Sequence, residues 1–388
     1  MFELTKAEER IVEQLGERLA EVQTWLGDPE LFSLPHPARV AAVPGSGPQM
    51  TLITMAEPKN QPRVKEWMVQ GLSNIAIFMR LTDEGDKRIG AFHALHTGAA
   101  EASGGFGNGT AGSMTQVLRF QTTKGRIFSF TDEVIGVLNK TKIGVDIPVS
   151  ELRLPHSSMF IEFGTDRAAP SMYLSHAESG RHALEGAYVS SVVDQDGAPK
   201  LEITFTGSPF GHGDLLDDVV EWAQLDTDDR ITIEDALVRT YTRSASTSGE
   251  LGLAGGQARQ QERAHAMKEK LELLVKCILF LNVDQANKRE VLDQTEARKA
   301  VLRAPSRAHR RKASRKAFQS YDRIIVSLKA QPSREISEAE GIRKRIASHW
   351  RDPHFRLQRH GPGNSLTKVI WIEAMLINAD ELGAAAAS

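Results

Sequence analysis

The side chains with the most chemistry to offer lie late in the chain. The stretch RKAVLRAPSRAHRRKASRKA contains Arg298, Lys299, Arg303, Arg307, Arg310, Arg311, Lys312, Arg315 and Lys316, with no acidic residue among them. Arginines at that density repel one another, so a folded surface holds them best when an anion is present, and the phosphates of a nucleic acid are the obvious source. Further on, SHWRDPHFRLQRHGPGNSLTKVIWIE brings His349, His354 and His360 together with Arg356. A histidine pair with a cation could cleave RNA without metal, one histidine taking the 2′-OH proton, the other protonating the leaving oxygen. Catalytic residues stay unassigned beyond these four candidates, and binding is the stronger expectation. Spacings of five and six residues, with Pro353 between, match no helical set of metal ligands, so no metal site is expected.

Both stretches need elements to position them. After Pro353, alternation puts His354, Arg356 and Gln358 on one face of a strand and Phe355 and Leu357 on the other. Gly361-Pro362-Gly363-Asn364 supplies a turn, and the near-continuous KVIWI predicts a strand buried on both faces. The result is a C-terminal β-hairpin whose turn presents His354, Arg356, Gln358, Arg359 and His360 for binding. Upstream, residues 256–316 read as a long helical stretch that carries the basic run, and Pro305 interrupts it.

The rest of the chain predicts an α+β protein. Thr5 and Glu8 form a capping box before Ile11, Leu15, Leu19, Val22 and Leu26, which mark an N-terminal helix. VKEWMVQGLSNIAIFMRL has ambiguous periodicity after the short strand TLITM. The glycine-rich GGFGNGTAG has no Gly-Lys-Ser/Thr ending and reads as a loop, so no phosphate-bearing cofactor is expected. TQVLRFQTT, GRIFSFT, VDIPVSELRLP, SSMFIEF, SMYLSHA, EGAYVSSVVD and LEITFTG read as short, mainly antiparallel strands, and HGDLLDDVVEWAQL as a helix. The change from strands to helices favours α+β over βαβ alternation. These signals divide the chain into residues 1–243, an α+β region with a β-rich middle; 244–257, a Ser/Gly-rich linker; and 258–388, the basic helical segment with the hairpin.

Composition narrows the class further. With 388 residues, 40% hydrophobic and 25% charged, the chain has enough apolar material for a substantial core. From Arg298 to Lys368 there are nineteen Lys and Arg against five Asp and Glu, although the whole chain carries a net charge of −2. Such asymmetry points to an anionic partner for the basic part. The lone Cys277 lies in LELLVKCILFLN, which excludes an internal disulfide or a multi-cysteine zinc site. No secretory signal and no membrane-length apolar run is evident, so a cytoplasmic protein without membrane contact is expected.

The ending HWRDPHFRLQRHGPGNSLTKVIWIE, with IPVSELRLPHSSMFIEF and ALEGAYV upstream, resembles a family of bacteriophage and mobile-element proteins that includes a type V-A anti-CRISPR inhibitor. The resemblance rests on His349, Trp350, His354, Phe355, Gln358, Gly361, Pro362, Ile370, Trp371, Ile372 and Glu373. It implies a regulator that lowers production of a target protein, the anti-CRISPR member acting on the message of a nuclease during translation. It brings no catalytic residues with it. The partners it implies are RNA, a ribosome with its nascent peptide, or a host ribonuclease. A ribonuclease built on the C-terminal histidines and a peptide-binding protein with a basic tether are the competing expectations.

Overall fold

The computed structural model describes residues 34–42, 116–117, 119–120, 123–163, 172–176, 180–193, 197–209, 219–228, 230–250, 256–329 and 349–377. The capped helix after Thr5, TLITM, VKEWMVQGLSNIAIFMRL and the glycine-rich loop lie outside them. Along the chain come α1 (His36–Ala42), β1 (Arg126–Phe130), α2 (Asp132–Lys140), β2 (Lys142–Ile143), β3 (Ser158–Glu162), β4 (Tyr173–His176) and β5 (Gly180–Val193). There follow β6 (Pro199–Pro209), β7 (Val219–Asp226), α3 (Ile233–Glu250), α4 (Gly256–Leu281), β8 (Ala286–Leu292), α5 (Asp293–Arg303) and α6 (Arg307–Phe318). The last elements are β9 (Asp322–Leu328), β10 (His349–Arg351), β11 (His354–His360), β12 (Leu366–Ile372) and β13 (Met375–Ile377). The fold is α+β, as its sequence predicts.

The chain forms two compact units, each drawn from three stretches: 1–129, 156–226 and 290–324 in the first; 130–155, 227–289 and 325–388 in the second. The first is built on a sheet of order β7-β6-β5-β3-β1-β9-β8, with β4 paired to β5 and with the 290–292 end of β8 and the 322–324 end of β9. Pairing from β3 through β7 is antiparallel, but β1 runs parallel to β3, which makes the sheet mixed. Register sorts the side chains by face. Met159, Ile161, Val189, Ile203, Phe205 and Leu225 share one face and are buried. The other carries Ser129, Glu162, Tyr188, Ser190, Glu202 and Thr204, a polar set that needs partners wherever it is covered.

For Tyr188, Ser190 and Glu202 those partners come from α1 and from residues 116, 119 and 120, whereas the buried Thr204 hydroxyl has none. The Ser190 hydroxyl donates to Gln116 Oε1 (2.7 Å), Arg119 pairs with Glu202, and Phe120 packs edge-on against Tyr188. Glu185 sits where the β5–β6 register shifts between Leu184 and Gly186, a bulge that frees its side chain from strict alternation.

In the second unit, α2 is capped by Thr131, whose hydroxyl accepts from Val134 N, and Asp132 and Glu133 complement the helix dipole. On α4, Leu271, Leu274, Cys277, Ile278 and Leu281 are all buried. Phe280 lies between the rings of Phe130 and Trp371, with centroids at 6.4 and 5.6 Å. Strand order β12-β11-β2 makes a small sheet, and β10 pairs with β13.

Several local expectations change in the structure. VVEWAQLD is strand β7: the edge of β6 offers a complete ladder from Gly207 to Lys200, and Ala223 and Leu225 are buried at a period of two. VDIPVSELRLP forms a 3-10 turn at Val149–Glu151 after Pro148, with Ile147 and Val149 fully buried. Within TQVLRFQTT, residues 116–117 and 119–120 are helical. The helical stretch 256–316 is interrupted by β8, and the Ser/Gly-rich segment expected to link domains supplies the end of α3 and the start of α4. KVIWI is not buried on both faces, because β12 is an edge strand; among these residues Trp371 is buried, while Val369, Ile370 and Ile372 are only partly so.

Candidate functional site

The basic run folds into a helical hairpin. Ser306 caps α6, its hydroxyl accepting from His309 N, while Pro305 breaks the chain between the two helices. Asp322 holds the start of α5: one carboxylate oxygen accepts from Gln294 N (2.9 Å) and Thr295 N (3.0 Å), and the other from the Thr295 hydroxyl. Gln294 Nε2 reaches the Ser320 carbonyl at 3.0 Å, tying the start of α5 to the end of α6. The hairpin is therefore anchored at its base, where the chain leaves β8 and enters β9.

All the basic residues proposed for binding here are exposed: Arg303, Arg307, Arg310, Arg311, Lys312, Arg315 and Lys316. Lys299 pairs with Glu296 at 2.8 Å. Arg303, Arg307, Arg310, Arg311, Lys312 and Lys316 have no ion-pair partner among the described residues. A groove of ≈ 590 Å³ between α5 and α6 has an alanine floor, including Ala297, Ala300 and Ala313, with Lys299, Arg303 and Lys312 among its lining. Arg307 and Arg310 occupy the first turn of α6, where no acidic residue is present and the helix dipole disfavours positive charge. Their position is a local penalty that a bound anion relieves.

The C-terminal hairpin forms with the predicted turn. Gly361 (φ +79°), Gly363 (φ +61°) and Asn364 (φ +57°) take the left-handed backbone that the turn requires. Pairing of β11 with β12 sets His354 opposite Ile372, Arg356 opposite Ile370, Gln358 opposite Lys368 and His360 opposite Leu366. The alternate face buries Phe355 and Trp371. Arg356 and Arg359 are exposed, and His354, Gln358 and His360 partly so. His354 is held locally: Nε2 lies 3.0 Å from Arg351 Nη2 and Nδ1 lies 3.0 Å from the Asp352 carbonyl, which fits Nδ1–H as donor and Nε2 as acceptor. Asp352 pairs with Lys142 at 2.8 Å, and the Lys142 hydrogen bond and charge hold its carboxyl below the ordinary range.

This geometry separates the histidines instead of gathering them. His354 and His360 lie six residues apart on one strand, about 20 Å at strand rise, too far to flank a single phosphate. The arrangement needed for His354, His360 and Arg356 to act together in RNA cleavage is absent, and His349 is set apart on β10, opposite Ile377. Among the described residues no three His, Cys, Asp or Glu side chains converge as metal ligands, and no helix is long and apolar enough to cross a membrane. Cys277 is buried, and burial pushes its thiol well up from the ordinary value.

Sequence reasoning missed the largest fully buried polar side chain among the described residues of the first unit. Arg39 is fully buried and pairs with both oxygens of Glu185, at 3.0 and 2.7 Å. His36 donates its backbone N–H to the same carboxylate (2.6 Å), and its Nδ1 lies 2.8 Å from the Tyr188 hydroxyl. Burial, and then the neighbouring Arg39 charge, push His36 down to about 3. Nearby, Glu162 accepts from Ser129 and from Tyr321 (3.1 Å), and burial raises its carboxyl above the ordinary value. HPAR and LEGAY are separated by some 150 residues, and nothing in either local pattern announces the pairing; the available signal was a glutamate inside the otherwise apolar ALEGAYV.

Fold and sites together describe an α+β protein without a gathered catalytic centre among its described residues. The chain matches the AcrVA2-like family, the anti-CRISPR type V subtype A2 family, over residues 128–379, and it belongs to that family. A crystal structure of AcrVA2 is similar at 13% identity, with a TM-score of 0.39, across 75% of this chain and 86% of that one. No curated protein matches.

Proposed function

We propose that this protein is a phage- or mobile-element-encoded, anti-CRISPR-like regulator that binds RNA, free or within a translating complex, and thereby lowers production of a target protein. The observation that carries the reading is the set of six exposed cations on α5 and α6 that lack ion-pair partners among the described residues. Neutralising phosphates with such side chains releases counterions, so binding must weaken steeply with salt. The anchoring of the hairpin by Asp322 and Gln294 keeps the cations in a fixed array, which limits the entropy lost on binding. Family membership supports the regulatory part of the reading.

The test is RNA binding by the full chain across a salt titration. Affinity should fall about 10³-fold or more between 50 and 200 mM salt if six or more phosphates are engaged. Reversing Arg310, Arg311 and Arg315 to glutamate should abolish most of it. A slope near zero, or full binding by the reversed variant, would sink the RNA reading.

A further inference from the structure

The distribution of charge around α6 says more about the polymer than the number of charges does. At 100° per residue, Arg307, Arg311 and Arg315 form a ridge at i, i+4 and i+8 along the helix. Arg310 flanks the ridge on one side, and Lys312 and Lys316 flank it on the other. The basic side chains thus cover about 240° of the circumference. The remaining sector contains His309, Ala313 and Ala317; His309 and Ala313 line the groove beside α5, together with Lys312 and Lys316 of the second flank.

A single strand offers one row of phosphates, which a stripe on one side of a helix would satisfy. Cations on a ridge and both flanks match two phosphate rows, one on either side of a groove. Among the described side chains, base stacking also finds little support. Single-strand recognition relies on aromatic platforms. Tyr321, close in sequence, has its hydroxyl held by Glu162 and its ring covered by the Arg323 guanidinium at 4.7 Å. Arginine and lysine dominate α6, which carries no Asn or Gln for bidentate contact with adenine.

Resting on the RNA reading above, we infer that α6 binds double-helical RNA, lying along a groove and contacting the phosphates of both strands, with recognition by shape instead of base sequence. A-form RNA is read in this manner, through phosphates and 2′-hydroxyls bordering its wide, shallow minor groove. The structured parts of a message or of ribosomal RNA are duplexes of this kind.

Fluorescence anisotropy with the full chain tests the inference on three probes: an RNA duplex of about 16 base pairs, the span of a duplex-binding module; an unstructured single strand of equal length; and a DNA duplex of the same sequence. The RNA duplex should bind at least tenfold more tightly than the strand. R310E, on one flank, and K312E/K316E, on the other, should each weaken duplex binding about tenfold or more, with helical circular dichroism and cooperative unfolding retained. Equal or tighter binding of the single strand overturns the duplex inference and leaves the RNA reading intact. Loss from only one flank variant overturns the two-row geometry. Tighter binding of the DNA duplex overturns RNA as the polymer, and no binding to any probe overturns both readings.

Discussion

Arg39 in α1 and Arg311 in α6 are the same residue type in opposite surroundings. The first is fully buried, with its guanidinium paired to both oxygens of Glu185; the second is exposed, with no ion-pair partner among the described residues. A buried charge survives only when a partner offsets its desolvation, so Arg39 belongs to the architecture. An exposed cation among like charges gives nothing to the fold and is available to a ligand. Pairing, more than the local density of charge, separates the residues that hold this molecule together from those that can serve a partner.

Breaking the buried side should have the largest effect. Arg39→Met leaves Glu185 buried without its guanidinium, and urea unfolding should register a loss of about 3–5 kcal/mol. A loss near zero would mean that α1 contributes nothing to the first unit. The same pocket predicts a pH dependence. His36 titrates at about 3 when folded, below its ordinary 6.5, so the unfolded chain binds the proton first on acidification. Stability is therefore full above pH 6.5 and falls as pH drops from 6.5 toward 3, with a limiting slope of about 1.4 kcal/mol per pH unit from this group. His36→Gln should flatten that part of the curve; an unchanged slope would assign the dependence elsewhere.

Smaller effects are expected at the helical hairpin. Asp322→Ala removes the acceptor for two backbone amides of α5 and should cost about 1 kcal/mol, read by thermal unfolding, while loosening the cation array. Arg307→Glu should sharpen the contrast most, because its two consequences have opposite signs. An acidic residue in the first turn of α6 should stabilise the helix by about 0.3–1 kcal/mol, while RNA affinity falls. A variant that loses both stability and binding would place Arg307 with Arg39 among the structural cations.

Much of this was legible in the residues themselves. The β11–β12 hairpin was readable because its alternation, its Gly-Pro-Gly-Asn turn and its family signature agree with one another. The basic run was readable as a surface because no large apolar residue recurs along it. VVEWAQL was not readable: its apolar residues satisfy helical spacing as well as alternation, and the free edge of β6 decides between them. The burial expected of KVIWI likewise depended on strand order, which no local pattern encodes. The Arg39–Glu185 pair was invisible for a similar reason, since contacts across some 150 residues arise only once the sheet exists.

The bulge at Glu185 has a consequence for how that pair could arise. Leu184 stands opposite Gly207 and Gly186 opposite Thr206, so both flanks keep the alternation of an unbroken strand. Glu185 is supernumerary to the β5–β6 ladder, while on the other side its carbonyl accepts from Phe163 N (3.0 Å), and Gly186 beside it leaves room for the crowded backbone, where a Cβ would lie 2.3 Å from the Ile161 carbonyl oxygen. One inserted codon would suffice to install the counter-charge for Arg39, and its deletion would leave every β5–β6 pair in place. The sheet and the anchor of α1 can thus change independently in descent.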